Sequence, residues 1–271
     1  YNEYPHGIMA ASGILPYRQY KEDFTMRRTI LALLLVILIS AICFSRNEAV
    51  TVAGTKRDLP VYCVDTGEEK VISISFDAAW GNEDTQELID ILGKYNVKAT
   101  FFVVGGWVDS FPESVKALSD AGHEIMNHSD THPYMTKISK EEMKKEVEAC
   151  NLKIESITGK KPTLLRAPYG DYNNDVVQAV RECGCMTIQW SVDSLDWKDL
   201  TASEITKRVT DKIHPGAIVL FHNAALHTPE ALPIIIERLQ SDGYRFVPIS
   251  ELVYKDGYGI DQAGKQYKLS E

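Results

Sequence analysis

The residue types that could move protons or hold a cation recur at one kind of place in this chain, directly after short apolar runs. Asp77 closes VISISF, His128 and His132 follow HEIMN, Arg166 closes TLL, Asp193 and Asp196 follow MTIQWSV, and His222 closes AIVLF. A carboxylate at the end of an apolar run is costly to bury unless it is paired. Arg166 is a ready partner for Asp77; a turn cap is the other reading. Two imidazoles in an H-x3-H spacing suit a divalent metal, or else are two histidines on a polar surface loop. On a helix that spacing would put both rings on one face, but Pro133 follows directly, so a loop is expected. His222 is either a hydrogen-bonded core histidine or, with a carboxylate beside it, an acid or base near neutral pH. Trp190 and Trp197 could stack on a sugar ring or simply pack. His123, His214 and His227 have no motif around them and are read as structural.

The elements that must position these groups follow from the hydrophobic pattern. Residues 71–77, 98–105, 123–129, 163–168, 186–193, 217–223 and 244–250 read as strands. Helical patterns lie between them. One covers 84–96, and one covers 111–121 with Pro112 in its first turn. Another runs from the capping box Ser139/Glu142 to Ile157. Asn174 is the expected cap of a helix to Glu182, a second box at Thr201/Glu204 opens the next, and Thr228-Pro229 starts the last, to Asp242. About seven strands alternating with helices make an α/β chain, either a doubly wound open sheet or a TIM-like barrel. In a parallel barrel the C-terminal strand ends share one face, the face where active sites form. No G-x-G-x-x-G or G-K-[ST] follows any strand, which argues against a nucleotide-binding Rossmann or P-loop unit.

Composition narrows the partners. The 271 residues carry 29 Lys+Arg against 38 Asp+Glu, a formal charge of −9. That balance argues against nucleic acid and against an anionic lipid surface as main partner, and leaves a neutral glycan or small molecule open. Five cysteines (43, 63, 150, 183, 185) are too few for a disulfide scaffold and have no zinc-finger spacing; whether Cys63 pairs with Cys150 stays open. At the N-terminus, Arg27 and Arg28 precede an apolar run from Ile30 to Phe44, the pattern of a signal peptide or a short signal-anchor over 26–45. Membrane anchoring by residues 29–44 is therefore one of two expectations, and export is common to both. Residues 1–25 read as an upstream extension, 46–68 as a linker, 69–254 as the catalytic domain, and 255–271 as a loosely ordered polar tail.

Five motifs in order carry a family resemblance. They are Ser75-Phe76-Asp77-Ala78-Ala79-Trp80-Gly81, His128-Ser129-Asp130-Thr131-His132, Arg166-Ala167-Pro168-Tyr169-Gly170, Asp193-Ser194-Leu195-Asp196-Trp197 and Leu220-Phe221-His222. From about 69 to 254 the chain resembles the polysaccharide deacetylases, carbohydrate esterase family 4 with its NodB-homology domain. The F-D-x-x-W-G form of the first motif resembles the sporulation-associated branch. The resemblance implies a distorted (β/α) barrel and hydrolysis of N-acetyl groups on cell-wall amino sugars, outside the membrane.

By position it implies Asp77 as general base, oriented by Arg166, and His222 as general acid, oriented by Asp196. It implies His128 and His132 as ligands of zinc or a similar divalent ion, and the Tyr169 N–H as an oxyanion donor. Trp197 and Leu220 would line the acetyl pocket, with Asp193 behind them. One departure stands out. The family's usual third metal ligand, the second Asp of the first motif, is Ala78 here, and a methyl group cannot ligate. Asp77, Asp130 and Asp84 are the candidate substitutes. The departure also opens a second reading, a weak or inactive relative that binds wall glycan or supports spore-envelope assembly.

Overall fold

The computed structural model describes residues 26, 29–35 and 57–269. The chain divides into two compact units, Tyr1–Lys56 and Arg57–Glu271. In the first, residues 29–35 are helical. The upstream extension, most of the signal segment and residues 46–56 of the expected linker lie outside the described residues. Among the described residues no helix is long and apolar enough to cross a membrane.

The second unit is built on parallel strands. Strand β1 is Cys63–Val64 and β2 is Val71–Ala78; β3 (Thr100–Val103), β4 (Glu124–Asn127), β5 (Leu164–Leu165), β6 (Met186–Thr187), β7 (Val192–Asp193), β8 (Ile218–His222) and β9 (Arg245–Phe246) follow. The main sheet runs β6-β5-β4-β3-β2-β8-β7, and β9 pairs with the start of β2. Every pairing in it is parallel. This is the distorted (β/α) barrel expected from the sequence.

The distortion has a local cause. Residues 186–193 were expected as one strand. They instead pair with β5 through Met186–Thr187 and with β8 through Val192–Asp193. One broken segment thus holds both edges of the sheet and curls it. Between the two halves Ile188 bridges Val61, and the Gln189 N–H donates to the Val61 carbonyl at 2.7 Å.

Strand β2, VISISFDA, is buried along its whole length, polar positions included. Its two faces still differ with period two. Ile72, Ile74, Phe76 and Ala78 join the core under the helices. Ser73, Ser75 and Asp77 alternate with them on the other face. The Ser73 and Ser75 hydroxyls donate to the Val247 and Val219 carbonyls, each at 2.7 Å, so the buried polar groups are satisfied. Phe76 stacks on Phe101 at 4.7 Å and on Phe221 at 5.7 Å, locking β2 between β3 and β8.

Both capping boxes form, at Ser139/Glu142 and Thr201/Glu204, and open helices Lys140–Thr158 and Ala202–Thr210. The cap of helix Asn174–Glu182 is Asn173 rather than Asn174. The Asn173 side chain accepts from the Val176 N–H, while Asn174 Oδ1 accepts from the Asp58 N–H. Gly105–Ser110 forms a helix that the strand pattern concealed. Gly105 is needed there because an added Cβ would lie 1.9 Å from Asp130 Oδ1. That close approach packs the helix directly on the histidine loop. The expected final strand shortens to β9, and Ile249–Leu252 turn into a short helix.

The tail corrects an expectation. Residues 258–260 and 265–268 form strands β10 and β11, which make a three-stranded sheet with β1. Residues from Arg57 onward therefore belong to the fold and not to a linker. Main-chain pairing does this work without an apolar signal. The Asp65 N–H donates to the Gln266 carbonyl at 2.7 Å, and the buried Gln266 side chain accepts from the Tyr254 N–H at 2.9 Å and donates to the Tyr254 carbonyl at 2.8 Å. Four cysteines, Cys63, Cys150, Cys183 and Cys185, are free.

His123 gives a stability prediction. It is 4% exposed, packs edge-on to Phe101, and burial with nearby Lys98 pushes its pKa down to about 4. The unfolded chain binds the proton first, near pH 6.5, so stability contributed above that pH is lost as pH falls toward 4. The loss attributable to His123 is on the order of 3 kcal/mol. Melting temperatures of His123→Phe should decline less between pH 6.5 and 4 than those of the unaltered chain; parallel curves would remove His123 as the cause.

Candidate active site

The chemistry-bearing strand ends converge on one cavity of about 450 Å³. Asp77, His128, His132, Tyr169, Asp193, Trp197, Leu220 and His222 line it, with Ala79, Trp80, Gly170 and Trp190. A second cavity of about 550 Å³ lies among Glu124, Thr163 and Met186, the opposite strand ends, and holds no comparable acid–base pair.

Asp77 and Arg166 form a buried pair. Arg166 is fully buried; its Nη1 donates to Asp77 Oδ1 at 2.7 Å, and its Nη2 to Ser75 Oγ at 2.9 Å and to the Gln189 carbonyl at 3.3 Å. The guanidinium also lies 4.3 Å from the Phe102 ring centre. Burial opposes ionisation of Asp77, but Arg166, His128 and His222 together outweigh it and hold the carboxyl below its usual range. Asp77 is therefore a carboxylate at neutral pH. One oxygen is committed to Arg166, and the other is 3.6 Å from His128 Nε2.

His222 has the opposite tuning. Its Nδ1 is 2.8 Å from Asp196 Oδ1, and its own N–H donates to Asp196 Oδ2 at 2.8 Å. Asp196 is buried and also accepts from Thr228 Oγ1 at 2.7 Å and from the Trp197 N–H at 3.0 Å. Burial works against the imidazolium, yet the bond and charge of Asp196 prevail and raise the His222 pKa. A pocket with one ionised carboxylate and one histidine favoured in its charged form carries a base and an acid on adjacent strands, since Asp77 and His222 are register partners.

The histidine pair sits on a shaped loop, as Pro133 indicated. Ser129 and His132 have positive φ (67° and 61°). Glu146 holds the loop through the Asp130 and Thr131 N–H groups, at 2.9 and 2.7 Å, and Ser129 Oγ accepts from the His132 N–H. The two rings lie 5.0 Å apart, and burial lowers both pKa values, His132 to about 4. His128 Nδ1 is 2.7 Å from the Arg166 carbonyl, so the N–H sits there and Nε2 is left with its lone pair.

The donor chemistry fits a divalent cation, although no group of three or more potential ligands is arranged as a metal site among the described residues. His128 Nε2 and Asp77 Oδ2 are too far apart to hydrogen-bond well. Their separation is near the ~3.3 Å between two donors of one tetrahedral ion with ~2.0 Å bonds. Ala78 is fully buried in the core beneath the helices and does not line the cavity. Of the proposed substitutes, Asp130 is tied to Lys153 at 2.6 Å, and Asp84 accepts from the Ala224 N–H at 2.8 Å. Of the three substitutes, Asp77 is the one that lines the cavity.

Tyr169, Asp193, Trp197 and Leu220 line the same cavity. Tyr169 has φ 60° within the Pro168–Gly170 turn and is 58% exposed. Leu220 is buried, Trp197 is half exposed at the mouth, and the Asp193 carboxylate accepts from the Leu195 N–H at 2.9 Å.

Three contributors were not read from the sequence. Trp80 stacks on His222 at 6.1 Å. Buried Asn223 donates to the Trp80 and Gly81 carbonyls at 2.7 and 2.8 Å and so fixes the loop that carries Trp80. Ser75 is the third, and the strand period could have found it, since it lies two residues from Asp77 on the same face of β2.

Comparison with known proteins agrees with this architecture. The polysaccharide deacetylase family model matches residues 65–188. The chain is 36% identical over 193 residues to the peptidoglycan-N-acetylmuramic acid deacetylase PdaA of Bacillus subtilis, covering 69% of this chain and 73% of that protein. It is 40% identical over 199 residues to the peptidoglycan-N-acetylglucosamine deacetylase PgdA of Listeria monocytogenes, covering 73% of this chain but only 41% of the relative's length. Among solved structures, BA3943 of Bacillus anthracis, described as a CE4 family pseudoenzyme, aligns with a TM-score of 0.67 at 35% identity over 75% of this chain and 70% of its own. A BA3943 mutant is described as having restored enzymatic activity. The chain belongs to the polysaccharide deacetylase family, whose deacetylases are generally metal-dependent.

Proposed function

We propose that this protein removes N-acetyl groups from amino sugars of peptidoglycan or a related wall glycan, outside the cell membrane. The observation that carries the reading is the oppositely tuned pair in one cavity, Asp77 with its pKa lowered by Arg166 and His222 with its pKa raised by Asp196. Asp77 takes a proton from water as its oxygen bonds to the acetyl carbon. The Tyr169 N–H faces the oxygen that gains charge, an interaction typically worth about 3 kcal/mol. His222 gives its proton to the amide nitrogen as the C–N bond breaks, and acetate and a free amine leave. Trp197 and Leu220 enclose the methyl group, and Asp193 supports the His222 side of the pocket.

His128 and His132 would hold a divalent ion, zinc by the chemistry of its donors, with Asp77 Oδ2 as the nearest further oxygen. When bound, such an ion supplies Lewis acidity to the carbonyl and to water. Asp77 Oδ1 is committed to Arg166, so use of Oδ2 as a ligand comes at the expense of its role as base, and two imidazoles with so divided a carboxylate make the site weak. His128→Ala should lower zinc or cobalt content after gel filtration together with activity. Equal metal content in the variant and the unaltered chain would remove the metal role.

The segment 26–45 supports export, as a cleaved signal or a retained anchor. The form of the first motif supports an association with sporulation. The test of function is treatment of purified peptidoglycan with the protein, followed by mass spectrometry of the released fragments. Sugars lacking their acetyl group are expected; unchanged fragments with and without added metal would contradict it. A second reading is favoured by Ala78 and by the likeness to a pseudoenzyme: a protein that binds wall glycan without turnover.

A further inference from the structure

Exposed aromatic side chains cluster at one place on this molecule. Among the described residues the large exposed aromatics are Trp80, Tyr134, Tyr169, Trp197 and, less so, Tyr267. Three of them line the candidate active site. Tyr134 does not, yet it stacks face to face on Tyr169, with ring centres 4.1 Å apart and planes 15° apart, while Tyr169 meets His132 edge-on at 4.6 Å. The aromatic surface therefore continues outward from the cavity on the His132 side.

The platform is held rigidly although its top is open. Pro133 precedes Tyr134, and Met135 after it is fully buried. Thr136 then ties this turn to the one that carries Tyr169: its N–H donates to Asp171 Oδ2 at 2.8 Å and its hydroxyl to Asp171 Oδ1 at 2.9 Å. Tyr134 is 52% exposed and Tyr169 58% exposed. Apolar area left in water on a fixed base gains nothing for the fold. It is ready to bind at little ordering cost.

We propose that Tyr134 and Tyr169 form a subsite for a neighbouring sugar of the same glycan chain, next to the sugar whose amide lies between Asp77 and His222. The occupant is a pyranose ring laying its apolar C–H face on the tyrosine stack. It must be joined to the sugar in the cavity, because the stack is continuous with the cavity wall through His132. The protein thus selects a chain over a free monosaccharide. This inference rests on the glycan reading of the same pocket, but it concerns binding and not turnover.

The experiment is calorimetric titration of the whole chain with N-acetylglucosamine and with its β-linked tetrasaccharide. The tetrasaccharide should bind on the order of tenfold or more tightly than the monosaccharide. In Tyr134→Ala that ratio should fall several-fold, and in Tyr134→Trp it should be kept, with thermal melts showing all three folded. An unchanged ratio in Tyr134→Ala, or equal affinities in the unaltered chain, overturns the subsite, as does absence of binding to either sugar. Acetate release on the same samples separates the two claims. Length-dependent binding without release contradicts the hydrolytic reading alone, and release with an unchanged ratio in Tyr134→Ala contradicts the subsite alone.

Discussion

Loss of either proton-transfer group should lower acetate release by ~10²–10⁴, the usual range for removing one general acid or base. The two variants should differ in stability, and the structure says how. His222→Ala leaves Asp196 with the Thr228 hydroxyl and the residue 222 and Trp197 N–H groups as donors, so that carboxylate remains satisfied. Its melt should move little. Asp77→Asn instead removes the counter-charge of a fully buried guanidinium. Breaking a buried pair from one side costs about 3–5 kcal/mol, less here because the amide oxygen can still accept from Nη1. His222→Ala is thus the cleaner test. Near-unaltered acetate release from a folded His222→Ala protein would remove the acid role.

Ala78→Asp should cost stability without changing the protein's dependence on metal. The residue is fully buried at the end of β2, and its carbonyl accepts from the Val104 N–H at 3.0 Å, one strand from the histidine loop. A carboxylate there would lie among apolar side chains of the core. In chelator the variant should be about 1–3 kcal/mol less stable than the unaltered chain, the cost of an unpaired buried polar group. Added zinc should not restore that loss, because the side chain at 78 faces the core under the helices and not the cavity of the two imidazoles. Metal affinity by calorimetry should stay that of the unaltered chain. A rise in affinity in a folded variant would show that position 78 reaches the ion, and that the carboxylate role does not belong to Asp77.

Much of this arrangement was legible in the sequence because it is local. Both capping boxes lie within four residues and formed as read. The helix and strand periods placed β2, β3, β4 and β8, and the chemistry sat at their C-terminal ends. What failed depends on partners distant in the chain. Residues 258–268 are mostly polar, and main-chain pairing with one another and with residues near 63 makes them a sheet. The break in 186–193 exists because two different strands claim its two halves. Gly105 looked like the end of a strand until the close approach of Asp130 gave it another purpose. In the site, Trp80 was quoted within a motif, but its contact with His222 depends on Asn223 clamping the loop from another strand. Tyr134 lies beside the H-x3-H motif, and nothing local marks its stacking on Tyr169. The burial of Ala78 on the helix side is a period-two consequence of Asp77 facing the cavity, and that much could have been read from β2 alone.

The central claim is that the Asp77–His222 cavity hydrolyses an N-acetyl group. The most direct measurement is acetate released from purified peptidoglycan and from chitooligosaccharide, by the unaltered chain and by His222→Ala, each with and without added divalent metal. Release that is stimulated by metal and lost in His222→Ala is expected. No acetate from either substrate under any metal condition, by a protein that still binds the glycan, would contradict hydrolysis and leave a glycan-binding relative of the deacetylases.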